Sequence, residues 1–248
     1  MSDRSAPLLP CLTVVLAGGL GTRISHLIPE LPKPLAVVAG KPFIEWVVRY
    51  LYKQDIRQIV FSTYHYAAKV NQFADGLKIT GLNLMCVEET SPLGTAGGFL
   101  NALEGSGDQL SNTLVLNGDS IVLTNLESLL GALNDPRIDG AMLGVHVNDA
   151  ARFGTINVDR EGVLCGFKEK RVGAGLISGG VYLFRRAIVD RFPGNRPLSF
   201  EHEVFPALLA NGVRIRVVPC DAPFLDIGTE DSLAQAGVFI KDNMKWFE

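Results

Sequence analysis

From Leu12 to Ala17 the chain runs LTVVLA, a short apolar, β-branched stretch that breaks off at glycine. That is the pattern of a strand buried on both faces, and it predicts a parallel sheet. Pro42 to Lys53 then carries Phe43, Trp46, Val47, Tyr50 and Leu51 at helical spacing, and Gln58 to Tyr64 is again strand-like. The alternation continues with a helix over Ala67 to Phe73, a strand over Leu82 to Val87, a helix over Gly94 to Leu103 and a strand over Thr113 to Leu116. Strands and helices taking turns in this way predict an α/β, Rossmann-like, doubly wound layer.

Beyond Asp119 the texture changes. Alternating segments at Ala141 to Val147, Thr155 to Val158, Val163 to Phe167 and Leu176 to Phe184 are separated by Gly and Asp turns, which predicts mixed or antiparallel strands added to the same sheet. Helices are predicted over Glu201 to Ala210 and Glu230 to Ile240, with Thr229 placed to cap the second. No internal repeat, low-complexity tract or long linker divides the chain, so residues 1–248 are read as a single domain. With 47% apolar and 20% charged residues, that domain can bury a core without disulfides or a structural metal.

The formal charge of −3 comes without blocks of like charge, so no nucleic-acid surface is expected and an anionic ligand would need a local basic site. Cys11, Cys86, Cys165 and Cys220 show neither CxxC pairing nor zinc spacing, and are read as reduced thiols of a cytoplasmic protein. Arg4 followed by Leu8 to Ala17 faintly imitates a secretory signal, but Pro10 interrupts it and Asp3 sits in the basic region. No apolar run approaches the roughly 20 residues of a spanning helix, so no membrane partner is expected.

The first strand runs into Gly18-Gly19-Leu20-Gly21-Thr22-Arg23, where glycines free the backbone to point N–H groups at an anion. A dinucleotide fingerprint would need glycine where Ile24 stands, and a Walker loop would need Gly-Lys-Ser/Thr; neither is present. Arg23 supplies a fixed charged fork, and Lys33, held in Pro32-Lys33-Pro34, a point charge. Taken alone, such a loop is equally a tight strand-to-helix turn with its charges in water. Leu116-Asn117-Gly118-Asp119 puts a carboxylate just past a strand, where ligands gather in open α/β sheets. Phe224 to Thr229 puts Asp226 in an otherwise apolar strand, where a cation or hydrogen-bond partner is required. Each aspartate alone is also compatible with a salt bridge or a turn cap.

The string LAGGLGTR followed by PKP resembles the signature of the sugar-1-phosphate nucleotidylyltransferases, and the likeness extends from about Leu12 to about Asp231. The resemblance implies the nucleotide-diphospho-sugar transferase fold, with residues of about 12–120 binding nucleotide, about 121–231 binding sugar phosphate, and a C-terminal helix to 248. It implies NTP contacts at Ala17, Gly18, Gly19, Gly21 and Thr22, at Glu88, Gly94 and Thr95 of the Glu88 to Gly98 segment, and at Gly118. It gives Arg23, Lys33, Lys170 and Asp119 catalytic roles and one Mg²⁺ to Asp119 and Asp226. The sugar-phosphate side would use Gly154, Glu169, Lys170, Ser178, Gly179 and Gly180; Glu169-Lys170 also reads as an exposed strand end. Phe153 stands where the family often has tyrosine, Ser178 where it often has asparagine, and no proline follows Lys170.

A sugar phosphate is already an oxygen nucleophile, so catalysis would rest on alignment and charge neutralisation. In keeping with this, His26, His65, His146 and His202 occur singly and no Gly-x-Ser-x-Gly elbow is present. The chain stops soon after the Asp226 segment and its helix, which predicts a stand-alone transferase without a C-terminal β-helix. LNGD, the Phe153 to Asp159 and Ile177 to Tyr182 runs, and Ser199-Phe200-Glu201 look most like the heptose 1-phosphate guanylyltransferase branch, with GTP and a sugar 1-phosphate as partners. Mannose 1-phosphate guanylyl transfer, or uridylyl or thymidylyl transfer to hexose or N-acetylmuramate phosphates, are the alternatives. A non-enzymatic nucleotide-sugar sensor would be expected to lack one of Arg23, Lys33, Asp119, Lys170 or Asp226. Trp246-Phe247 is read as a packing element, a homodimer interface or a loose tail.

Overall fold

The computed structural model describes residues 11–19, 21, 23–168 and 172–248. Thr22, Glu169 and Lys170, singled out above, lie outside the described residues. The first half runs β1 (Leu12–Leu16), a small hairpin of β2 (Val37–Val38) and β3 (Lys41–Pro42), α1 (Phe43–Lys53), β4 (Gln58–Thr63), α2 (Ala67–Gly76), β5 (Asn83–Glu88), α3 (Gly94–Ser106) and β6 (Asn112–Asn117). The second half runs β7 (Ser120–Val122), α4 (Glu127–Gly131), β8 (Gly140–Val147), β9 (Thr155–Val158), β10 (Leu164–Lys168), β11 (Gly175–Arg185), α5 (Arg186–Val189), α6 (Phe205–Ala210), β12 (Ile215–Cys220), β13 (Phe224–Asp226) and α7 (Glu230–Asp242).

β5, β4, β1 and β6 lie side by side in parallel, the doubly wound layer expected from the alternating pattern. β11 joins β6 antiparallel, β8 joins β11 antiparallel, and β12 joins β8 in parallel. The β9–β10 hairpin lies against the first half of β11, where Ile177 pairs with Thr155. The result is one mixed nine-stranded sheet, with a parallel core around β1, in a single domain. β1 sits at its centre, with Val14 and Val15 fully buried on opposite faces, which is why LTVVLA reads as a run and not as an alternation.

One face carries α1, α2, α4 and α7 through Phe43, Val47, Val70, Leu129 and Ile240. The other carries α3, α5 and α6, where Phe99, Tyr182, Phe184, Phe192, Phe200 and Phe205 form an aromatic cluster. Thr229 caps α7 reciprocally with Ser232: the threonine oxygen accepts the Ser232 N–H, and the serine oxygen accepts the Thr229 N–H. The C-terminal aromatics pack on α1, Phe247 edge-on to Trp46 at 5.3 Å and Trp246 at 6.3 Å from Tyr50.

Two elements differ from the sequence expectation. The predicted helix over Glu201 to Ala210 is a wide π-type turn from Phe200 to Val204 followed by the short α6. Pro206 lacks the N–H needed to continue a regular ladder through that point. Ile215–Cys220 carries no element expected from sequence; the structure makes it β12, an edge strand, where the missing donor of Pro219 is tolerated. The pairing with most consequence is small: β13 lies antiparallel to β7 with Asp226 opposite Ser120, which sets Asp226 beside Asp119 across a sequence gap of more than a hundred residues.

Candidate active site

The site lies at the carboxyl ends of β1 and β6, where the chain switches from one side of β1 to the other. Gly118 donates to Leu16 O at 2.9 Å, and a Cβ there would fall 2.5 Å from that oxygen, so only glycine lets β6 end this close to β1. Ala17 is buried and donates to Ser62 O at 2.8 Å. Gly21, at φ +58°, passes so near Lys33 that a Cβ would lie 3.1 Å from the lysine Cβ. The loop and the Pro32-Lys33-Pro34 turn thereby wall a cavity of about 360 Å³ lined by Gly19, Gly21, Arg23, Lys33, Thr95, Asn117, Asp119, Asp226 and Gly228.

Inside this cavity the charges are already organised. Lys33 Nζ, its side chain only 11% exposed, lies 2.7 Å from Asp119 Oδ2 and 3.9 Å from Asp226 Oδ2. Asp226 Oδ1 accepts from the Gly228 N–H at 2.9 Å and from Arg152 Nη2 at 2.8 Å. Two carboxylates from distant segments thus converge on one cation, with a second cation outside them. Arg23 is exposed on the rim and has no ion-pair partner among the described residues. No third metal-type donor joins the two aspartates among the described residues. Residues that together hold a lysine ammonium can hold a divalent ion through the same oxygens, leaving its remaining positions to water and phosphate, the mode favoured by Mg²⁺.

A second cavity, about 200 Å³, shares Leu16, Gly19 and Thr95 with the first and adds Gly18, Ser62, Tyr64, Glu89, Pro92, Leu93 and Gly94. Glu89 is the carboxylate here. It is buried, accepting from Ser62 Oγ at 2.9 Å and from the Leu93 N–H at 3.0 Å. Glu88, the residue singled out from sequence, ends β5 exposed and lines none of these cavities. Gly94, at φ +76°, and Gly97 make a close approach, but to protein: the Ala96 and Gly97 N–H groups both donate to Leu198 O, and a Cβ on Gly94 would sit 2.6 Å from that oxygen. Thr95 Oγ1 accepts the Phe200 N–H, fastening the same segment over the start of α3.

A third cavity of about 720 Å³ opens beyond Asp226 and is lined by Arg152, Phe153, Gly154, Phe167, Lys168, Ser178, Glu201 and His202. Phe153 packs edge-on against Phe224 at 5.6 Å, a contact that calls for an aromatic ring at this position. Ser178 Oγ and Tyr182 Oη are 3.0 Å apart, and burial pushes the tyrosine phenol far above its ordinary range, so it stays neutral. Gly179 and Gly180 are buried supports: Gly180, at φ +69°, carries the irregularity of β11 past Asn117, where a Cβ would lie 2.5 Å from Nδ2. Of the sugar-side residues, the structure therefore puts Gly154 and Ser178 on the cavity and Gly179 and Gly180 beneath it.

Arg152, Asn117, Glu89, Lys168, Glu201 and His202 line these cavities without having been singled out from sequence. Arg152 had a local signal, as a cation directly before Phe153-Gly154, and Glu89 had one as a carboxylate four residues before the helix entry it caps. Glu201 is marked in sequence only within the Ser199-Phe200-Glu201 string and His202 only as a lone histidine, because their place at the cavity depends on how the turn before α6 folds over α3.

A glycine loop, a basic rim and a carboxylate pair at the switch point of a doubly wound sheet define a nucleotide-handling enzyme. Residues 12–243 match the Nucleotidyl transferase family, and the chain belongs to it. It is 34% identical to D-glycero-alpha-D-manno-heptose 1-phosphate guanylyltransferase of Campylobacter jejuni over 88% of this chain and 95% of that protein. It is 37% identical to mannose-1-phosphate guanylyltransferase of Mycobacterium tuberculosis over 80% of this chain and 55% of that protein. The crystal structure of HddC from Yersinia pseudotuberculosis complexed with GMP-PN superposes with a TM-score of 0.81 at 28% identity, covering 92% of this chain and 99% of that one.

Proposed function

We propose that the chain transfers a guanylyl group from GTP to a sugar 1-phosphate, D-glycero-α-D-manno-heptose 1-phosphate first among candidates, releasing pyrophosphate. The observation that carries this reading is the arrangement of the three cavities, two of which share Leu16, Gly19 and Thr95, while the Arg152–Asp226 ion pair links the third to them. A buried carboxylate lies at one end, loop glycines, Arg23 and Lys33 in the middle, and a polar chamber at the other, with Asp119 and Asp226 where the middle meets the chamber. Likeness to the heptose and mannose guanylyltransferases supports the sugar class and the base.

In this reading Glu89, an acceptor-only group, faces the base. Guanine offers N–H donors on the edge it presents, so a carboxylate selects it over adenine, whose matching edge mixes donor and acceptor. The loop amides at Gly19 and Gly21, Arg23 and Lys33 offset the charge of the triphosphate. Asp119 and Asp226 would hold Mg²⁺, which when bound screens the repulsion between the two phosphate groups. An oxygen of the sugar phosphate attacks the α-phosphorus in line with the departing pyrophosphate, and no side chain need take a proton. By resemblance Lys170 holds that phosphate and Glu169 the sugar hydroxyls. Such a reaction suits the cytoplasm, where GTP and sugar phosphates are found.

The test is pyrophosphate release across GTP, ATP, CTP, UTP and dTTP paired with heptose, mannose, glucose and N-acetylmuramate 1-phosphates, with Mg²⁺ and with EDTA. Mg²⁺-dependent release confined to GTP with the heptose phosphate is the expected result. Release with a different pair would correct the substrate. Silence from folded protein in every pairing would remove the activity.

A further inference from the structure

We propose that Arg152 is the residue through which the sugar-phosphate chamber reports to the carboxylate pair: it leaves Asp226 and takes the phosphate of the incoming sugar 1-phosphate. The inference rests on the reading of the 720 Å³ cavity as the acceptor side.

Arg152 is the hinge between two cavities. Its guanidinium bonds Asp226, which lines the middle cavity, while the residue itself lines the chamber beyond. Among the described residues only Nη2 has a hydrogen-bond partner, Asp226 Oδ1 at 2.8 Å, which leaves the other guanidinium donors to spare. The side chain is 44% exposed, held from behind by its position 5.3 Å over the Phe153 ring, and Phe153 is itself held by Phe224. A guanidinium fixed at its stem and open at its head fits a phosphate bidentately.

The exchange is balanced in charge. In the structure Lys33 and Arg152 together match Asp119 and Asp226, so the four groups are neutral as a set. A divalent cation on the two carboxylates would cancel the attraction that keeps Arg152 on Asp226. Asp226 Oδ1 would still accept the Gly228 N–H, so release of the arginine leaves no orphaned acceptor. The freed cation then stands on the lining of the chamber, which also carries Lys168, as the sugar phosphate arrives. Donor-side charging and acceptor binding become linked through one side chain.

Calorimetric titration of heptose 1-phosphate and mannose 1-phosphate, in Mg²⁺ and without turnover, tests this on Arg152→Gln, Arg152→Lys and the parent protein. Steady-state KM values for GTP and for the sugar phosphate, and melting curves, accompany it. Arg152→Gln is expected to weaken sugar-phosphate affinity about tenfold or more, the scale of a lost charge-assisted hydrogen bond, with GTP KM within about twofold. Arg152→Lys should fall between. An unchanged sugar-phosphate affinity in Arg152→Gln, or equal loss for GTP and sugar phosphate, overturns the proposal. If the parent protein binds GTP but neither sugar phosphate, the acceptor reading itself fails, and this proposal with it.

Discussion

In the parallel half of the sheet the cavity around Lys33 and its neighbour at Glu89 are walled in part by glycine main chain. The loop from Gly18, the end of β6 at Gly118 and the strand-to-helix connection at Gly94 all bring backbone within reach of backbone. The chamber beyond Asp226 is walled by side chains from separate segments, Arg152, Phe167, Ser178 and Glu201 among them. A main-chain wall recognises what every nucleotide shares, its phosphates. A side-chain wall can be changed one residue at a time, which suits the part of the reaction that differs among relatives, the sugar. Asp119, which lines the first region and in the proposed mechanism serves both, gives the most direct test. Asp119→Ala should stay folded yet lose turnover by about a hundredfold or more at every Mg²⁺ concentration, the scale of removing one electrostatic stabiliser. Near-normal pyrophosphate release would remove the metal role.

The main-chain character of the first wall is tested by glycine. Gly118→Ala puts a Cβ 2.5 Å from Leu16 O, and backbone cannot step aside cheaply, so a loss of about 1–3 kcal/mol in a urea melt is expected. Gly154→Ala, in the chamber, meets its nearest neighbour, Lys168 O, at an ordinary 3.4 Å and should be close to neutral. Equal losses would show that the two walls are built alike.

Glu89→Gln then asks whether the base end discriminates by hydrogen bonding. The amide has nearly the carboxylate's shape but turns one acceptor into a donor, so kcat/KM for GTP should fall about tenfold while sugar-phosphate KM holds. An unchanged ratio of GTP to ATP use would take base selection away from this residue.

The same contrast governs what could be read from sequence. The nucleotide end is carried by contiguous stretches, and a strand that ends in glycines before Arg23, with Lys33 ten residues on, is visible without coordinates. Asp226 was visible because a carboxylate in an apolar strand needs a partner, although the partners themselves, Lys33 and Arg152, were not. The choice of Glu88 over Glu89 turned on which residue remains in the strand. β5 ends at Glu88, which points to solvent, and the turn after it swings Glu89 inward. β12 was not assigned from sequence; it carries Pro219, whose missing donor matters only if both sides of a strand are paired. The cavity positions of Glu201, quoted in sequence only as part of Ser199-Phe200-Glu201, and of His202 follow from the wide turn before Pro206 closing over α3, a tertiary event that local spacing does not encode.

The smallest expected effect concerns the thiols, which sample the packing of both halves. Cys11, beside β1, and Cys86, on β5, are held up to about 11 by burial, against an ordinary value of 9.0, so at neutral pH both are protonated and slow nucleophiles. Cys165, on the β9–β10 hairpin of the chamber half, is exposed. Ellman's reagent at pH 7.5 should therefore show one fast thiol, at least about tenfold faster than the rest, and Cys165→Ser should abolish that phase. The pH dependence has a definite sign. The unfolded chain releases the Cys11 and Cys86 protons at lower pH than the folded one, so their contribution to stability is intact below about pH 9 and is lost as pH rises toward 11. A melting temperature that held level across that window in the parent protein, while Cys11→Ala and Cys86→Ala also held level, would mean that the core around β1 and β5 opens more readily than its packing implies. A decline in the parent that is smaller in the two variants is the expected outcome, and it would tie the rigidity of the main-chain wall to the burial of the strands that carry it.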